Sequence, residues 1–293
     1  MTQLPRLYPD PVPAIHPLPE YQASGQVARW YGEVKAALQV PWMGVVTMAY
    51  AHYPTFFAEL WRGLKPLVAS APFVEAFQEN RSFIEAAVTE LEPPPIAHRL
   101  AAFGYAPREV EGIRAVVEVF SHGNHPYALI ATVARLLMEG GEMAGIGEAP
   151  AYEGRHAPKV SVPFVLMEAH HADAPTRAVY DDVKRVLGLP FVNTDYRAFA
   201  RWPSYFDLAW ADLAPHAGSP AHEAFCRAYH ERMVDVARSA LPNPGGLSPV
   251  ALRKAADADA PLEEVLAVCR LFQWLLPGLA TNVAFFRHQL LHA

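Results

Sequence analysis

The chain carries one helical pattern twice, and the two copies differ in charge at one apolar position. With Tyr31 aligned on Tyr180, identical residues recur in the same register without a gap. The matched residues are Tyr31, Val34, Lys35, Leu38, Pro41, Ala49, Ala51, Pro54, Phe57, Trp61, Leu64 and Pro66, which meet Tyr180, Val183, Lys184, Leu187, Pro190, Ala198, Ala200, Pro203, Phe206, Trp210, Leu213 and Pro215. In this register Val46 meets Asp195. A repeated apolar framework with one charged departure predicts a duplicated scaffold whose symmetry was broken for a function.

Composition predicts a globular protein with a large core. Of the 293 residues, 52% are hydrophobic and 18% are charged, which argues against disorder. The length suits two units of half that size. The formal net charge is -6. We therefore expect neither nucleic acid nor an anionic membrane surface as a partner.

The two cysteines and the N-terminus bear on cellular location. Cys226 and Cys269 lie far apart in the sequence and form no C-x-x-C motif, so we predict reduced core thiols. The N-terminus has no apolar signal core, and no apolar run is long enough to cross a bilayer. Cytoplasm is the expected location.

The chain divides into four segments. Residues 1–19 contain six prolines and predict an extended arm that lies on the surface or on a partner. Residues 20–139 form the first repeat, residues 140–163 a glycine- and alanine-rich linker, and residues 164–293 the second repeat. We predict an all-α protein in which two homologous helical repeats pack face to face as an intramolecular pseudo-dimer. The substrate cavity would lie between the repeats.

Helical periodicity is clear in both copies. Apolar residues between Val27 and Leu38 predict one helix after an N-cap at Ser24, and the segment from Ala174 to Leu187 predicts its partner. Further helices are predicted to open at residues 106–109 and 261–264, and the last helices to run over residues 126–138 and 278–291. The best strand candidate, residues 160–163, is weakened by its proline.

Asp195 follows a proline break and precedes a short helical segment. The plainer interpretation is an N-cap, because Asn193, Thr194 and Asp195 are all favoured there. The matching stretch around Val46 is apolar, however, so we expect both sites to be enclosed. A charged carboxylate in an enclosed site lowers the stability of the fold by an amount on the order of several kcal/mol, as any buried ion does, unless it is paired. We therefore expect such a carboxylate to be either paired or functional. Removed from water, it would also be a stronger base.

Asn124 is the second candidate. It lies in a Gly123-Asn124 pair that precedes Pro126, and the plainer interpretation is a turn between two helices. The second copy has Leu276 in place of Asn124, so the scaffold does not require a polar residue there. Asn124 in one copy and Asp195 in the other predict a single composite site.

Three aromatic residues flank these positions. Trp42 follows Pro41, Tyr127 lies one turn beyond Asn124, and Trp274 corresponds to His122 in the other copy. Aromatic residues at helix ends usually serve packing. A buried indole N–H nevertheless needs a partner and can donate to an anion.

Metal and nucleotide sites have weak support. His288 and His292 have the spacing of a metal-binding pair on a helix, but no third ligand is evident. We find neither a nucleophile elbow nor a phosphate-binding loop. We therefore expect no metal and no cofactor.

Several motifs together resemble one known family, the group I (DehI-type) D,L-2-haloacid dehalogenases. The motifs are Val40-Pro41-Trp42, Tyr53-Pro54, Gly123-Asn124 followed by Pro126 and Tyr127, and Thr194-Asp195 followed by Trp202-Pro203. The similarity covers nearly the whole chain apart from the arm and the linker. It implies an all-α, cofactor-free homodimer built from two repeats.

The resemblance also implies residue roles. Asp195 corresponds to the family's water-activating aspartate, and Asn124 to the asparagine that positions water or substrate. Trp42 corresponds to the pocket tryptophan, and Thr194 replaces a serine while keeping the hydroxyl. Two further pocket positions depart from the family. Val45 stands for a phenylalanine, and Trp274 for a tyrosine, which should change the shape of the accepted substrate.

The implied reaction is hydrolytic dehalogenation of short 2-haloalkanoic acids of both enantiomers to 2-hydroxy acids, with inversion at C2. Asp195 would take a proton from the attacking water. Attack by Asp195 itself through an ester is a second route that the sequence leaves open. The departures at Val45 and Trp274 leave open another class, a non-catalytic helical protein that binds small carboxylates.

Overall fold

A computed structural model describes residues 4–145 and 147–291. Residues 1–3 of the predicted arm, residue 146 of the predicted linker, and His292 of the histidine pair lie outside it, with residue 293. The described residues form α-helices, one short 3₁₀ helix and no strand, which confirms the all-α class.

The helices are α1 Gly25–Leu38, α2 Val45–Tyr50, α3 Pro54–Val68, α4 Ala71–Ala87, α5 Ala97–Ala102, α6 Pro107–Met138, α7 Ala174–Leu187, α8 Thr194–Phe199, α9 Pro203–Leu213, α10 Pro220–Ser239, α11 Pro249–Asp257 and α12 Leu262–Leu291, with the 3₁₀ helix at Val88–Leu91.

The predicted first helix of each copy is confirmed by α1 and α7. At α7 the Asp173 side chain accepts a hydrogen bond from the Thr176 N–H at 2.9 Å, which caps the helix. Ser24 stands at the predicted N-cap of α1 but makes no side-chain capping bond. Both helices end in a left-handed residue, Gln39 with φ 53° and Gly188 with φ 66°, as helix C-termini often do.

Two other sequence predictions are wrong. Residues 160–163 form irregular backbone instead of a strand, and the Pro163 carbonyl accepts from Arg201 Nη1 at 2.9 Å. Gly123 and Asn124 do not form a turn, because α6 continues through them and through Pro126. Proline lacks one N–H donor, yet a helix buried over most of its surface keeps its other backbone hydrogen bonds. Pro277 is likewise inside α12.

The chain forms two compact units, each assembled from separate segments. Of the described residues, unit 1 comprises those within 1–80, 123–157 and 227–277, and unit 2 comprises those within 81–122, 158–226 and 278–293. Each unit draws on both predicted repeats. The repeat boundaries at 20–139 and 164–293 concern duplication of the sequence, and they stay a prediction.

Inside unit 1, three side-chain and backbone bonds fix α1, α2 and α3. The Tyr31 hydroxyl donates to the Leu18 carbonyl at 2.9 Å, and the Leu18 N–H donates to the Met48 carbonyl at 3.0 Å. The Trp61 indole donates to Glu33 at 2.8 Å. These bonds hold the loop before α1, the short helix α2 and the longer helix α3 in one arrangement.

Inside unit 2, the corresponding residues make the same bonds. The Tyr180 hydroxyl donates to the Met167 carbonyl at 2.7 Å, and the Met167 N–H donates to the Arg197 carbonyl at 2.9 Å. The Trp210 indole donates to Asp182 at 2.8 Å. In the register that aligns Tyr31 with Tyr180, every partner has its counterpart.

The cysteines and the N-terminal arm have clear positions. Cys226 and Cys269 are buried thiols that are not joined in a disulfide, as predicted. From residue 4 to residue 19 the arm has no helix, and its Leu4 is buried with 6% exposure in unit 1. The Leu4 and Pro5 carbonyls accept hydrogen bonds from His230 and Arg135 of the same unit.

Candidate active site

Asp195 lies in the first turn of α8, one residue after the helix begins. Its side chain is buried, with 2% exposure, and Val46 in the first turn of α2 is also 2% exposed. The prediction that both positions are enclosed is confirmed. An anion in the first turn of a helix interacts favourably with the exposed N–H groups there.

Tyr196, the residue after Asp195, holds helix α8 in place. Tyr196 is buried, and its hydroxyl accepts a hydrogen bond from Asn282 Nδ2 at 2.9 Å. The Asn282 Oδ1 atom in turn accepts from His222 Nε2 at 2.7 Å. Burial raises the pKa of Tyr196, so its hydroxyl stays neutral. The Tyr196 ring also packs against Trp210 at a centroid distance of 5.8 Å.

The polar residues before Asp195 are not explained by helix capping. Asn193 occupies the N-cap of α8 but makes no side-chain capping bond. It is 8% exposed, and its Oδ1 atom has no partner among the described residues. Thr194 is buried, and its hydroxyl accepts from Arg197 Nη2 at 3.3 Å. Arg197 is itself anchored by Glu168 at 2.7 Å.

In unit 1, Asn124 is an interior residue of α6 and is 4% exposed. Since the chain makes no turn there, turn formation cannot account for an asparagine at this position. A buried carboxamide needs hydrogen-bond partners for its oxygen and its NH₂ group.

Trp42 and Tyr127 form a single cluster with two glycines. Trp42 lies in the loop between α1 and α2, and its carbonyl accepts from the Tyr127 hydroxyl at 2.9 Å. A Cβ at Gly123 would overlap the Trp42 indole, and a Cβ at Gly44 would lie 2.8 Å from the Tyr127 ring. Because Gly123 has no side chain, the Trp42 indole can lie directly on α6 at that residue, which immediately precedes Asn124.

The remaining two predicted residues also belong to unit 1. Val45 is the first residue of α2 and is half-buried next to Gly44. Trp274 is a partly exposed residue of α12. Its ring meets the N-terminal arm, because Tyr8 packs edge-on against it at a centroid distance of 4.9 Å. Contact with the arm was not part of the sequence prediction for Trp274.

Unit 1 thus brings together Trp42, Tyr127 and the Gly123-Asn124 pair, and unit 2 places Thr194 and Asp195 together on α8. Sequence reasoning missed the structural roles of Gly44 and Gly123. Gly44 corresponds to Asn193 in the aligned register, and this difference in side-chain size was visible in the sequence.

One group of potential metal ligands was also missed. His222, Glu223 and Cys226 each place one ligand atom within 4.8 Å of the others. His222 Nε2 is engaged by Asn282, and Nδ1 lies 3.6 Å from Cys226 Sγ. Three donors are one fewer than a structural zinc site uses, and hydrogen bonds already engage two of them. We assign no metal here, and the expected absence of a metal stays a prediction.

Comparison with known proteins identifies the family. Residues 41–195 match the family described as halocarboxylic acid dehydrogenase DehI. An (R)-2-haloacid dehalogenase of Rhizobium sp. (strain NHG3) is 47% identical over 84% of this chain and 96% of its own length. The chain belongs to the DehI family. The family predicted from the sequence motifs is confirmed.

Other relatives cover nearly all of the chain. An (R)-2-haloacid dehalogenase of Pseudomonas putida is 36% identical over 99% of this chain and 96% of its own length. The structure of a D-2-haloacid dehalogenase with L-LA aligns with a TM-score of 0.87 and 32% identity, covering 99% of this chain and 100% of that one. Among the described residues, no helix of this DehI family member is long and apolar enough to cross a membrane.

Proposed function

We propose that this protein is a hydrolase acting on carbon–halide bonds, which converts short 2-haloalkanoic acids to 2-hydroxy acids without a cofactor. Asp195 carries the proposal, because a buried carboxylate stands where the aligned position has a buried valine. The relatives named above are haloacid dehalogenases, and a further relative from Alcaligenes xylosoxydans xylosoxydans is named configuration-inverting.

In the proposed reaction Asp195 accepts a proton from water while the water oxygen forms a bond to C2. The carbon–halogen bond breaks on the opposite face, and its electron pair leaves with the halide. Attack from the back inverts C2. Holding water, carbon and halide in line could supply about 7–11 kcal/mol of the barrier in favourable cases.

The other residues have assigned roles in this proposal. The Asn124 amide positions water or substrate, and the Trp42 indole and that amide are donors for the departing halide. Thr194, whose hydroxyl already accepts from Arg197, lies next to the base. Val45, Tyr127 and Trp274 shape the space for the substrate's side chain.

The substrate enantiomer is the finer part of the proposal. Relatives with 47% and 36% identity are named for the (R) enantiomer, which supports (R)-2-haloacids as substrates. The resemblance to D,L dehalogenases predicts that the (S) enantiomer is converted as well. Separate assays with each enantiomer decide between these scopes.

The scaffold belongs to the same proposal. We infer that the two helical segments arose by duplication, since Tyr31 and Tyr180 bond equivalent carbonyls and Trp61 and Trp210 bond equivalent carboxylates. The homodimer and the cytoplasmic location stay predictions. Light scattering coupled to gel filtration would test the dimer.

The central test is halide release from purified protein with (R)- and (S)-2-chloropropionate, alongside Asp195→Asn. We expect release by the wild type and a loss of about 10²–10⁴-fold in the variant, because general-base catalysis contributes about that much. Near-normal activity in a folded Asp195→Asn protein would overturn the assignment. Substrate binding without halide release by the wild type would favour the carboxylate-binding alternative.

The ester route is separable by a single turnover in isotopically heavy water. Direct water attack puts the heavy oxygen into the product. Attack by Asp195 puts it into the aspartate carboxylate instead, since water then hydrolyses the ester at its carbonyl carbon.

A further inference from the structure

The N-terminal arm is anchored to unit 1 by a chain of buried polar groups. Arg135 donates to Gln273 Oε1 and, at 3.0 Å, to the Pro5 carbonyl. Gln273 Nε2 lies 2.8 Å from His230 Nδ1, and His230 Nε2 lies 2.6 Å from the Leu4 carbonyl. His230 and Gln273 are each 1% exposed.

Hydrogen-bond chemistry determines which groups in this buried network donate and which accept. An arginine can only donate, so the Gln273 oxygen accepts and its NH₂ group donates to His230 Nδ1. His230 must then carry its proton on Nε2, which donates to the Leu4 carbonyl. The first residues of the arm are therefore held at a defined place by a neutral histidine.

This anchoring brings two arm side chains onto Trp274. Arg6 Nε donates to the Trp274 carbonyl at 3.2 Å, and its guanidinium carbon lies 5.4 Å from the centre of the indole. The Tyr8 ring meets the same indole edge-on, at an interplanar angle of 85°. Leu7 between them is 64% exposed, as expected in an extended chain whose successive side chains alternate in direction.

We propose that Arg6 and Tyr8 are positioning residues that set substrate specificity by fixing the Trp274 indole. The inference rests on the proposed function, in which Trp274 shapes the space for the substrate's side chain. Arg6 fixes the backbone and one face of the indole, while Tyr8 blocks rotation of its edge. With both contacts in place, Trp274 has one orientation, and the accepted length of the substrate follows from it.

The effect should appear in selectivity more than in turnover. Trp274 exchanges no proton in the proposed reaction, so releasing its ring changes substrate fit rather than chemistry. A difference of one methylene in a pocket commonly changes kcat/KM by about 10-fold or more. The ratio of kcat/KM for 2-chloropropionate to that for 2-chlorobutyrate is therefore a sensitive measure of the ring's position.

The experiment compares Arg6→Ala and Tyr8→Ala with two controls in the full-length protein. Leu7→Ala removes an exposed side chain of the same arm, and Tyr8→Phe keeps the ring while removing the hydroxyl. We expect the alanine variants at residues 6 and 8 to change the selectivity ratio by about five-fold, mainly through KM, and the controls to change it less than about two-fold. In a Trp274→Ala background the arm substitutions should have no further effect on the ratio.

An activity-independent measurement accompanies the kinetics. The indole N–H resonance of Trp274, assigned through its loss in Trp274→Phe, should shift in Arg6→Ala and Tyr8→Ala and stay in place in Leu7→Ala. An unchanged ratio, an unchanged resonance, or an arm effect that persists in Trp274→Ala would overturn the proposal. Failure of the proposed function gives a different result, because Asp195→Asn would then match the wild type.

Discussion

Helices α2 and α8 have the same length and equivalent partners, yet at one equally buried position α2 carries valine and α8 carries aspartate. Met48 and Arg197 accept equivalent backbone bonds, so the two helices are positioned in the same way within their units. Val46 and Asp195 are equally inaccessible to water. The difference shows that an apolar residue fits this position of the scaffold, and it supports the proposal that Asp195 serves chemistry.

The largest effects are expected when each position receives the other's residue, in two separate variants. We expect Val46→Asp to lower the free energy of unfolding by about 3–5 kcal/mol, because it buries a charge without a prepared partner. Asp195→Val should leave stability unchanged or raised while halide release is lost. Urea unfolding and halide assays on both variants check this. Equal destabilisation by both substitutions would mean that Asp195 stabilises the fold.

Two glycines of α6, Gly123 and Gly112, provide a test of the packing around Asn124. Gly123→Ala should lower the free energy of unfolding by about 1–3 kcal/mol and reduce activity, because the added methyl group displaces the Trp42 indole. Gly112→Ala is the control, since its Cβ would lie 3.6 Å from Trp202 and Val162. There the better helix propensity of alanine should raise stability by about 1 kcal/mol. Similar changes in stability and activity in both variants would show that Gly123 has no special role in packing.

The arm, which belongs to unit 1, can be probed through pH. Burial lowers the pKa of His230 from about 6.5 to about 4. Between these values the unfolded chain binds the proton more readily, so stability is fully present above pH 6.5 and falls as the pH drops towards 4. The loss at the lower end is at most about 3 kcal/mol.

His230→Gln has no titrating group and should flatten the pH dependence of unfolding in that window. Urea unfolding at several pH values provides the measurement. A slope that is the same in both proteins would show that His230 does not control the acid sensitivity.

The smallest expected effect concerns the two equivalent tryptophans. The pKa of Asp182 is lowered first by the Trp210 indole and then by Arg185, whereas that of Glu33 is lowered first by Lys65 and then by Trp61. The two indole bonds are both 2.8 Å long, so Trp210→Phe and Trp61→Phe should each lower the free energy of unfolding by about 1 kcal/mol, a typical hydrogen bond. Urea unfolding measures both losses, and clearly unequal losses would show that the two equivalent bonds differ in strength.

Much of the fold follows from local patterns in the sequence. Apolar residues at helical spacing predicted α1 and α7, and the proline-led starts predicted α6 and α12. The turn predicted at Gly123-Asn124 was wrong because turn preference is local, whereas α6 is stabilised along its length by burial. The arm's destination could not be predicted, since prolines specify extended backbone but not the surface it meets.

The sequence by itself determined the all-α class, the family, and the position where one copy departs from the other. Periodicity and aligned identities contain that information, and no distance is needed to obtain it. Only the tertiary structure decided that Asp195 and Val46 are equally buried, that Gly123 makes room for Trp42, and that Arg6 and Tyr8 lie on Trp274. Each of these depends on residues far apart in the chain, and packing between them is not encoded in any local pattern.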